Sequence, residues 1–130
     1  MLTQLSTVKA RLAILDTDTQ YDDLLTRAIE AISATLLAFV EPGDEVLVTS
    51  PTYASYLPAI RLTGATPRFV ALNEDANFDL DPEAIGKAIT RRTRAILLCN
   101  PNNPTGTVYS AAETERMMAI AARGSPGHHR

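Results

Sequence analysis

The sequence predicts an α/β fold built on a mainly parallel sheet. Short β-branched or apolar runs alternate along it with stretches of helical periodicity. The run Arg94 to Cys99 (RAILLC) is continuously apolar after one arginine, as a strand covered on both faces requires. Two helix starts, at Asp81-Pro82-Glu83 and at Ser110 to Glu113, lie between or after such runs.

Taken in order, Val8 to Leu15 reads as a short helix or strand, and Asp16 to Thr19 with Asp22-Asp23 breaks any apolar period. From Leu24 to Val40 the positions Leu25, Ile29, Ile32, Leu36 and Phe39 recur at helical spacing and predict an amphipathic helix. Glu41-Pro42-Gly43-Asp44 ends it. Proline presets the second position of a type II turn and glycine accepts the positive φ of the third. Glu45 to Thr49 (EVLVT) is then a strand bounded by turn residues. Ser50-Pro51 is expected to open a helix running to about Leu62, with Gly64 as its stop. Thr66 to Leu72 (TPRFVAL) is a second strand. At Asp81-Pro82-Glu83 a capping side chain, a proline at the first helical position and an acid near the positive end of the helix dipole start a helix to about Thr90. The strand Arg94 to Cys99 follows, and Ser110-Ala-Ala-Glu113 is a capping box for a last helix ended by Gly124 to Gly127.

Composition narrows the function. The 130 residues are 45% hydrophobic and 21% charged, ordinary for a globular chain, and enough for one domain with a core. A net charge of -3 lacks the basic face that nucleic-acid phosphates require. No apolar run approaches the roughly 20 residues of a membrane span. Neither is there a charged-then-apolar leader at Met1 to Gln4, so a cytoplasmic location is expected. Cys99 stands alone, which excludes an internal disulfide and fits a reducing compartment; its apolar neighbours make it read as a buried small hydrophobe. His128 and His129 fall in a Gly-Ser-Pro-Gly tail, and no His, Cys or carboxylate spacing matches a metal site. Arg91-Arg92-Thr93-Arg94 reads as the solvated end of a helix.

Ligands of parallel sheets sit at the carboxyl ends of the strands. Two loops leave strands at those ends: Ser50-Pro51-Thr52-Tyr53, and Asn100-Pro101-Asn102-Asn103-Pro104-Thr105-Gly106. In the second, two prolines and a glycine fix the path and three amides offer donors and acceptors. By composition alone a capped turn is the favoured reading. Tyr53 by itself reads equally as a half-buried core residue.

The order of residues in that loop, after an apolar strand, resembles the signature of the class I/II, fold-type-I aminotransferases that depend on pyridoxal phosphate. Glu30-Ala31-Ile32, Pro42 to Val46, Pro51 to Tyr56 and Phe78 to Asp81 stand in the family's order and at its usual intervals, so that the likeness covers about 30–115. The resemblance implies a partial three-layer α/β/α fold, part of the large domain. It implies an activity moving an amino group between an amino acid and a 2-oxo acid, and a homodimer. It places Asn103 where the family bonds the phenolic oxygen of pyridoxal phosphate and helps hold the substrate carboxylate. It places Tyr53 where an aromatic ring covers the pyridine face. Tyr56, one turn on, is a packing residue. The family often has a cis bond before Pro104; the sequence leaves both Asn100–Pro101 and Asn103–Pro104 open.

The departures matter as much. The family's phosphate cup follows a Thr-x-Gly-x-x-Glu-Ala pattern at a helix start, where backbone N–H groups meet the dianion. Here the stretch is Leu25-Thr26-Arg27-Ala28-Ile29-Glu30-Ala31, with Arg27 in the glycine's place. The only lysines, Lys9 and Lys87, do not match the family's catalytic lysine, so no catalytic residue is assigned. The expected division is a poorly patterned segment over 1–23, the partial domain over 24–122 and a disordered tail over 123–130. The pattern is expected to fail before Ala28 and after Ala122, as in a truncated or frame-disrupted product inactive on its own. The alternative is a non-catalytic remnant that associates through its exposed edges. A generic nucleotide-binding domain is disfavoured, because no Gly-x-Gly-x-x-Gly follows any strand.

Overall fold

The computed structural model describes residues 22–124. The segment Val8 to Leu15, Lys9 and the histidines of the tail lie outside them. Helix α1 spans Asp22–Leu37, strand β1 Glu45–Ser50, helix α2 Tyr56–Leu62 and strand β2 Thr66–Ala71. A short 3-10 turn over Glu74–Ala76 precedes helix α3, Pro82–Ala88; strand β3, Thr93–Leu97, and helix α4, Ala111–Gly124, complete the order.

The three strands are parallel, in the order β2-β1-β3. β1 is central, and Val46, Leu47 and Val48 are at most 1% exposed. Its residues alternate between two apolar layers, as the period of a strand dictates. Val46 and Val48 pack with Leu36, Val40, Ala59 and Ile60 of the α1–α2 side. Leu47 packs with Val70, Leu80, Ile85, Tyr109 and Met117 of the α3–α4 side. Helices therefore cover both faces, and the α/β/α layering predicted from sequence is present. The reversal follows from crossover handedness: β1 to β2 moves one way along the sheet and β2 to β3 the other. Connections of one hand must then lie on opposite faces.

Local chemistry fixes most boundaries. The turn after α1 closes by Asp44 N–H donating to Glu41 O at 3.0 Å, with Gly43 at φ +92°. Gly64 follows α2 at φ +81°, and a Cβ there would stand 3.0 Å from Pro42, so both backbone and space demand glycine. The Asp81 side chain accepts from Ala84 N–H at 3.0 Å and caps α3. Ser110 and Glu113 form the reciprocal capping box, Ser110 N–H to Glu113 Oε2 at 2.8 Å and Glu113 N–H to Ser110 Oγ at 3.2 Å. That bonding holds the Glu113 carboxyl below its usual range.

Four expectations are corrected. Phe39, predicted on the core face of the first helix, is 50% exposed; α1 ends at Leu37, and Val40 turns into the core through its N–H bond to Leu36 O. The second helix starts at Tyr56, not at Ser50-Pro51, because 51–55 turn over the strand end with three-residue bonds such as Tyr56 N–H to Tyr53 O. β3, predicted to be buried on both faces, does pack on both apolar layers, Ala95 and Leu97 on one and Ile96 on the other, but it lies at a sheet edge among the described residues and is only half-buried.

The fourth concerns the arginines. α3 stops at Ala88, so Arg92 and Arg94 are not at a solvated helix end. They converge on the amino edge of the sheet, where Glu45 is 4% exposed. Thr90 Oγ1 donates to Glu45 Oε2 at 2.6 Å and Arg92 Nη2 to Oε1 at 2.8 Å; Arg68 Nη1 stands 3.5 Å away. Arg94 pairs with Asp44 at 3.3 Å. A buried carboxylate needs such partners. The Thr90 bond, with the two guanidinium charges, outweighs burial and holds the Glu45 carboxyl below its ordinary value of 4.5.

Two predictions follow from this architecture. Leu47→Ala removes a side chain sealed at the centre of one layer and is expected to lower unfolding free energy by about 3 kcal/mol, read from urea midpoints. Glu45, with a folded value below its unfolded one, stabilises fully above 4.5 and loses that contribution as pH falls through the folded value. The gap in thermal midpoint between wild type and Glu45→Gln is therefore expected to shrink from pH ~7 to pH ~3.

Candidate functional site

The strand order creates a switch point between β1 and β3. The helix after β1, α2, lies on one face of the sheet, and the helix after β3, α4, on the other. Loops leaving neighbouring strands for opposite faces open a crevice at their carboxyl ends, the usual ligand position in sheets of this kind. The loops that leave these strands are 51–55 and 98–109; they overlap the two singled out in the sequence, Ser50 to Tyr53 and Asn100 to Gly106.

They are joined directly. Asn102 Nδ2 donates to Pro51 O at 3.3 Å, across 51 residues of chain. Tyr53 lies two residues beyond that bond and Asn103 one residue beyond; both side chains are half-buried. The Tyr53 ring meets the edge of Tyr56 with centroids 5.6 Å apart and planes at 86°, a favourable edge-to-face pair. Tyr56 packs on the α1–α2 layer and its hydroxyl donates to Leu98 O at 3.4 Å, so it fills the structural place predicted for it. Burial, with the Cys99 thiol alongside, pushes the Tyr56 phenol well above its usual range.

Asn100 was given no role in the sequence. Its amide closes the base of the second loop as a backbone mimic: Nδ2 donates to Tyr109 O at 3.0 Å and Oδ1 accepts from Tyr109 N–H at 2.9 Å. Tyr109, also missed, is buried under the loop, and burial raises its phenol. Nothing in the local sequence marks either: an asparagine before proline looks like ordinary turn composition, and a tyrosine between valine and serine carries no site signal. Cys99, predicted to be buried, is half-buried, with Sγ donating to Pro101 O at 3.4 Å at the strand end. The peptide bonds Ser50–Pro51, Asn100–Pro101 and Asn103–Pro104 are cis.

Among the described residues, Thr49 Oγ1, Thr52 Oγ1, Ser55 Oγ and Asn102 Oδ1, all near the carboxyl ends of the strands, are buried side-chain atoms without a hydrogen-bond partner, where buried polar atoms normally have one. The phosphate cup is a different matter. Thr26 and Arg27 lie inside α1, whose free N–H groups belong to its first turn at 22–25. Arg27 is exposed on a continuous helix, so Thr26 and Arg27 form no cradle of backbone N–H groups. Lys87 sits near the end of α3, which leads into the start of β3, and thus at the edge opposite the crevice. It lines a groove with Glu83, Gly86 and Ile120. Among the described residues no helix is long and apolar enough to cross a membrane, and no cluster of three or more His, Cys, Asp and Glu is placed to hold a metal.

A parallel sheet with helices on both faces defines a layered α/β/α domain of the kind many enzymes use. The family model described as aminotransferase class I and II matches residues 24–126, and the chain belongs to that family. A probable N-succinyldiaminopimelate aminotransferase of Mycobacterium tuberculosis is 44% identical over 109 residues, 82% of this chain and 28% of the relative. A bifunctional aspartate aminotransferase and glutamate/aspartate-prephenate aminotransferase of Petunia hybrida is 38% identical over 74% of this chain and 20% of its own length. The solved N-succinyldiaminopimelate aminotransferase from Mycobacterium tuberculosis superposes with TM-score 0.70 at 45% identity, over 75% of this chain and 26% of that one. Aspartate aminotransferase from Thermus thermophilus, solved with maleate, gives TM-score 0.69 at 37% identity, over 72% and 25%. The chain thus spans about a quarter of the length of these relatives. The match, over 24–126, extends a few residues past either end of the 30–115 expected from motifs.

Asn100→Ala strips two partners from Tyr109 at once, and is expected to destabilise by about 1–2 kcal/mol in urea unfolding while leaving helix content unchanged.

Proposed function

We propose that this chain forms the ring-facing edge of a pyridoxal-phosphate pocket in an aminotransferase that moves an amino group between an amino acid and a 2-oxo acid. The observation that supports the reading is the Asn102–Pro51 bond, which joins the loop bearing Tyr53 to the loop bearing Asn103. Pyridoxal phosphate supplies, when bound, an electron sink for charge developing at the amino acid's α-carbon. Asn103 would donate its amide N–H to the ring oxyanion without adding charge to the ring. Tyr53 would lie against the ring face and fix its plane. The unpartnered polar atoms of the crevice support a polar occupant. The phosphate end finds no cradle at Thr26–Arg27, and the one described lysine faces the opposite edge. The 130 residues by themselves therefore bind the ring weakly and do not transaminate. A homodimer and a cytoplasmic location accompany this reading, as does a small-molecule amino acid and 2-oxo acid pair as substrates.

A second reading, a non-catalytic remnant that associates with itself, is favoured by the β3 edge. Two grooves of about 350 and 380 Å³ flank that edge on its two faces and share Ala95 and Ile96. Met117 and Met118 line one; Ile32 and Phe39 line the other. A strand edge with apolar borders is a template for pairing.

Equilibrium dialysis against pyridoxine 5′-phosphate, which cannot react with lysine, separates the two. The first reading expects saturable binding, weakened ~5–10-fold by Tyr53→Ala and by Asn103→Ala. Absent binding, together with sedimentation as a dimer or larger, would leave the second reading standing. Turnover of an amino acid with 2-oxoglutarate by the 130 residues would overturn the claim that they are inactive alone.

A further inference from the structure

We propose that Asn102 is a positioning residue. A one-directional chain of hydrogen bonds starting at its amide holds the loops after all three strands in a single arrangement, and so sets where Tyr53 and Asn103 stand. The functional half of this rests on the reading above; the structural half does not.

The chain can be followed hydrogen by hydrogen. The Asn102 amide has two, one given to Pro51 O at 3.3 Å and one to Thr105 Oγ1 at 2.9 Å. The Thr105 hydroxyl has one, given to Thr107 Oγ1 at 3.0 Å, while it also accepts from Thr107 N–H at 3.3 Å. The Thr107 hydroxyl has one, given to Asn77 O at 3.0 Å. Each donor has its acceptor, and no hydroxyl is asked to donate twice. Pro51 follows β1, Asn102 to Thr107 follow β3, and Asn77 follows β2. Thus one chain touches every carboxyl-end loop of the sheet.

Two features separate this from an asparagine filling a turn. Its backbone already makes the turn, with Asn102 N–H bonded to Thr107 O and Gly106 N–H to Asn102 O, both at 2.8 Å. The side chain is therefore free for work outside the loop, and it is 3% exposed where a turn asparagine is normally wet. The far end of the chain also holds a strained segment. Asn77 and Phe78 stand consecutively at φ +55° and +56°, a region that bulky phenylalanine avoids unless its surroundings fix it. Phe78 N–H bonds Asn73 O at 2.9 Å, and the Thr107 hydroxyl holds Asn77 O from the other side.

Direction makes the proposal testable. Aspartate at 102 has the same shape but no hydrogen to give: it sets an acceptor against Pro51 O and competes for the single Thr105 hydrogen. Valine at 105 leaves the bond to Pro51 and cuts the link onward. In amide NMR spectra of the full 130-residue chain, Asn102→Asp is expected to move the resonances of both Tyr53 and Asn77. Thr105→Val is expected to move Asn77 and leave Tyr53 in place. In the wild type, the Asn102 side-chain amide hydrogens should exchange ~10-fold more slowly than those of exposed Asn73. Shifts confined to 100–107, or Tyr53 moving as much as Asn77 in Thr105→Val, would overturn the proposal. Should Asn102→Asp fail to fold, Thr105→Val and the exchange rates decide alone. A second arm reads pyridoxine 5′-phosphate by dialysis, where Asn102→Asp is expected to weaken binding ~10-fold. Binding by wild type that Asn102→Asp leaves unchanged counts against positioning. No binding by wild type counts against the cofactor reading only, and the spectra still decide the hydrogen-bond chain.

Discussion

A strand sealed on both faces has nowhere along its length to leave polar groups, so β1 must settle them at its two ends. That constraint organises the molecule. At the amino end it is met within the sequence: Glu45 enters the sheet buried, and Thr90 and Arg92 of the connection into β3, with Arg68 of the neighbouring strand β2, close on its carboxylate. At the carboxyl end it is met incompletely. Thr49, Thr52 and Ser55 keep hydroxyls without partners, beside an asparagine whose own carbonyl oxygen has none. One end of the sheet is closed by its own side chains and the other is not.

The crevice owes its place to connection geometry and not to the residues that line it. Because β1 feeds a helix on one face and β3 a helix on the other, the two loops part as they leave the sheet. Left to themselves they would open a gap of no fixed width. The amide of Asn102 crosses it to a peptide carbonyl, which offers fixed geometry without the flexible reach of an ion pair. Loops placed by rigid strands and tied by a few directional bonds can hold side chains to the fraction of an ångström that ligand orientation requires.

What the sequence made legible was local. The proline-glycine turn at Glu41 to Asp44, the aspartate cap of α3 and the Ser110–Glu113 box are decided within three or four residues, and they stand where the residues put them. The two strand-end loops were legible too, since an apolar strand followed by prolines and amides says where a chain turns. Burial was not local and was misread. RAILLC looks like a central strand, yet its exposure depends on which strands flank it, and the central place belongs to EVLVTS. Phe39 fits the apolar period of the first helix, but that period lapses when the helix ends two residues earlier. The pairing of Arg92 with Glu45 spans 47 residues, and that of Asn102 with Pro51 spans 51. No spacing rule reports contacts at such range.

The alternation along β1 has one more effect. Val46 and Val48 send their side chains into one apolar layer and Leu47 into the other, and the two layers are separate clusters with only the sheet between them. A substitution on one side is felt through volume and shape by its own layer, while the opposite layer meets an unchanged backbone. The two halves of the interior are therefore free to drift apart in evolution. Lineages can repack the layer beneath α1 and α2 again and again, and the layer that carries Tyr109 and the loop base need not follow.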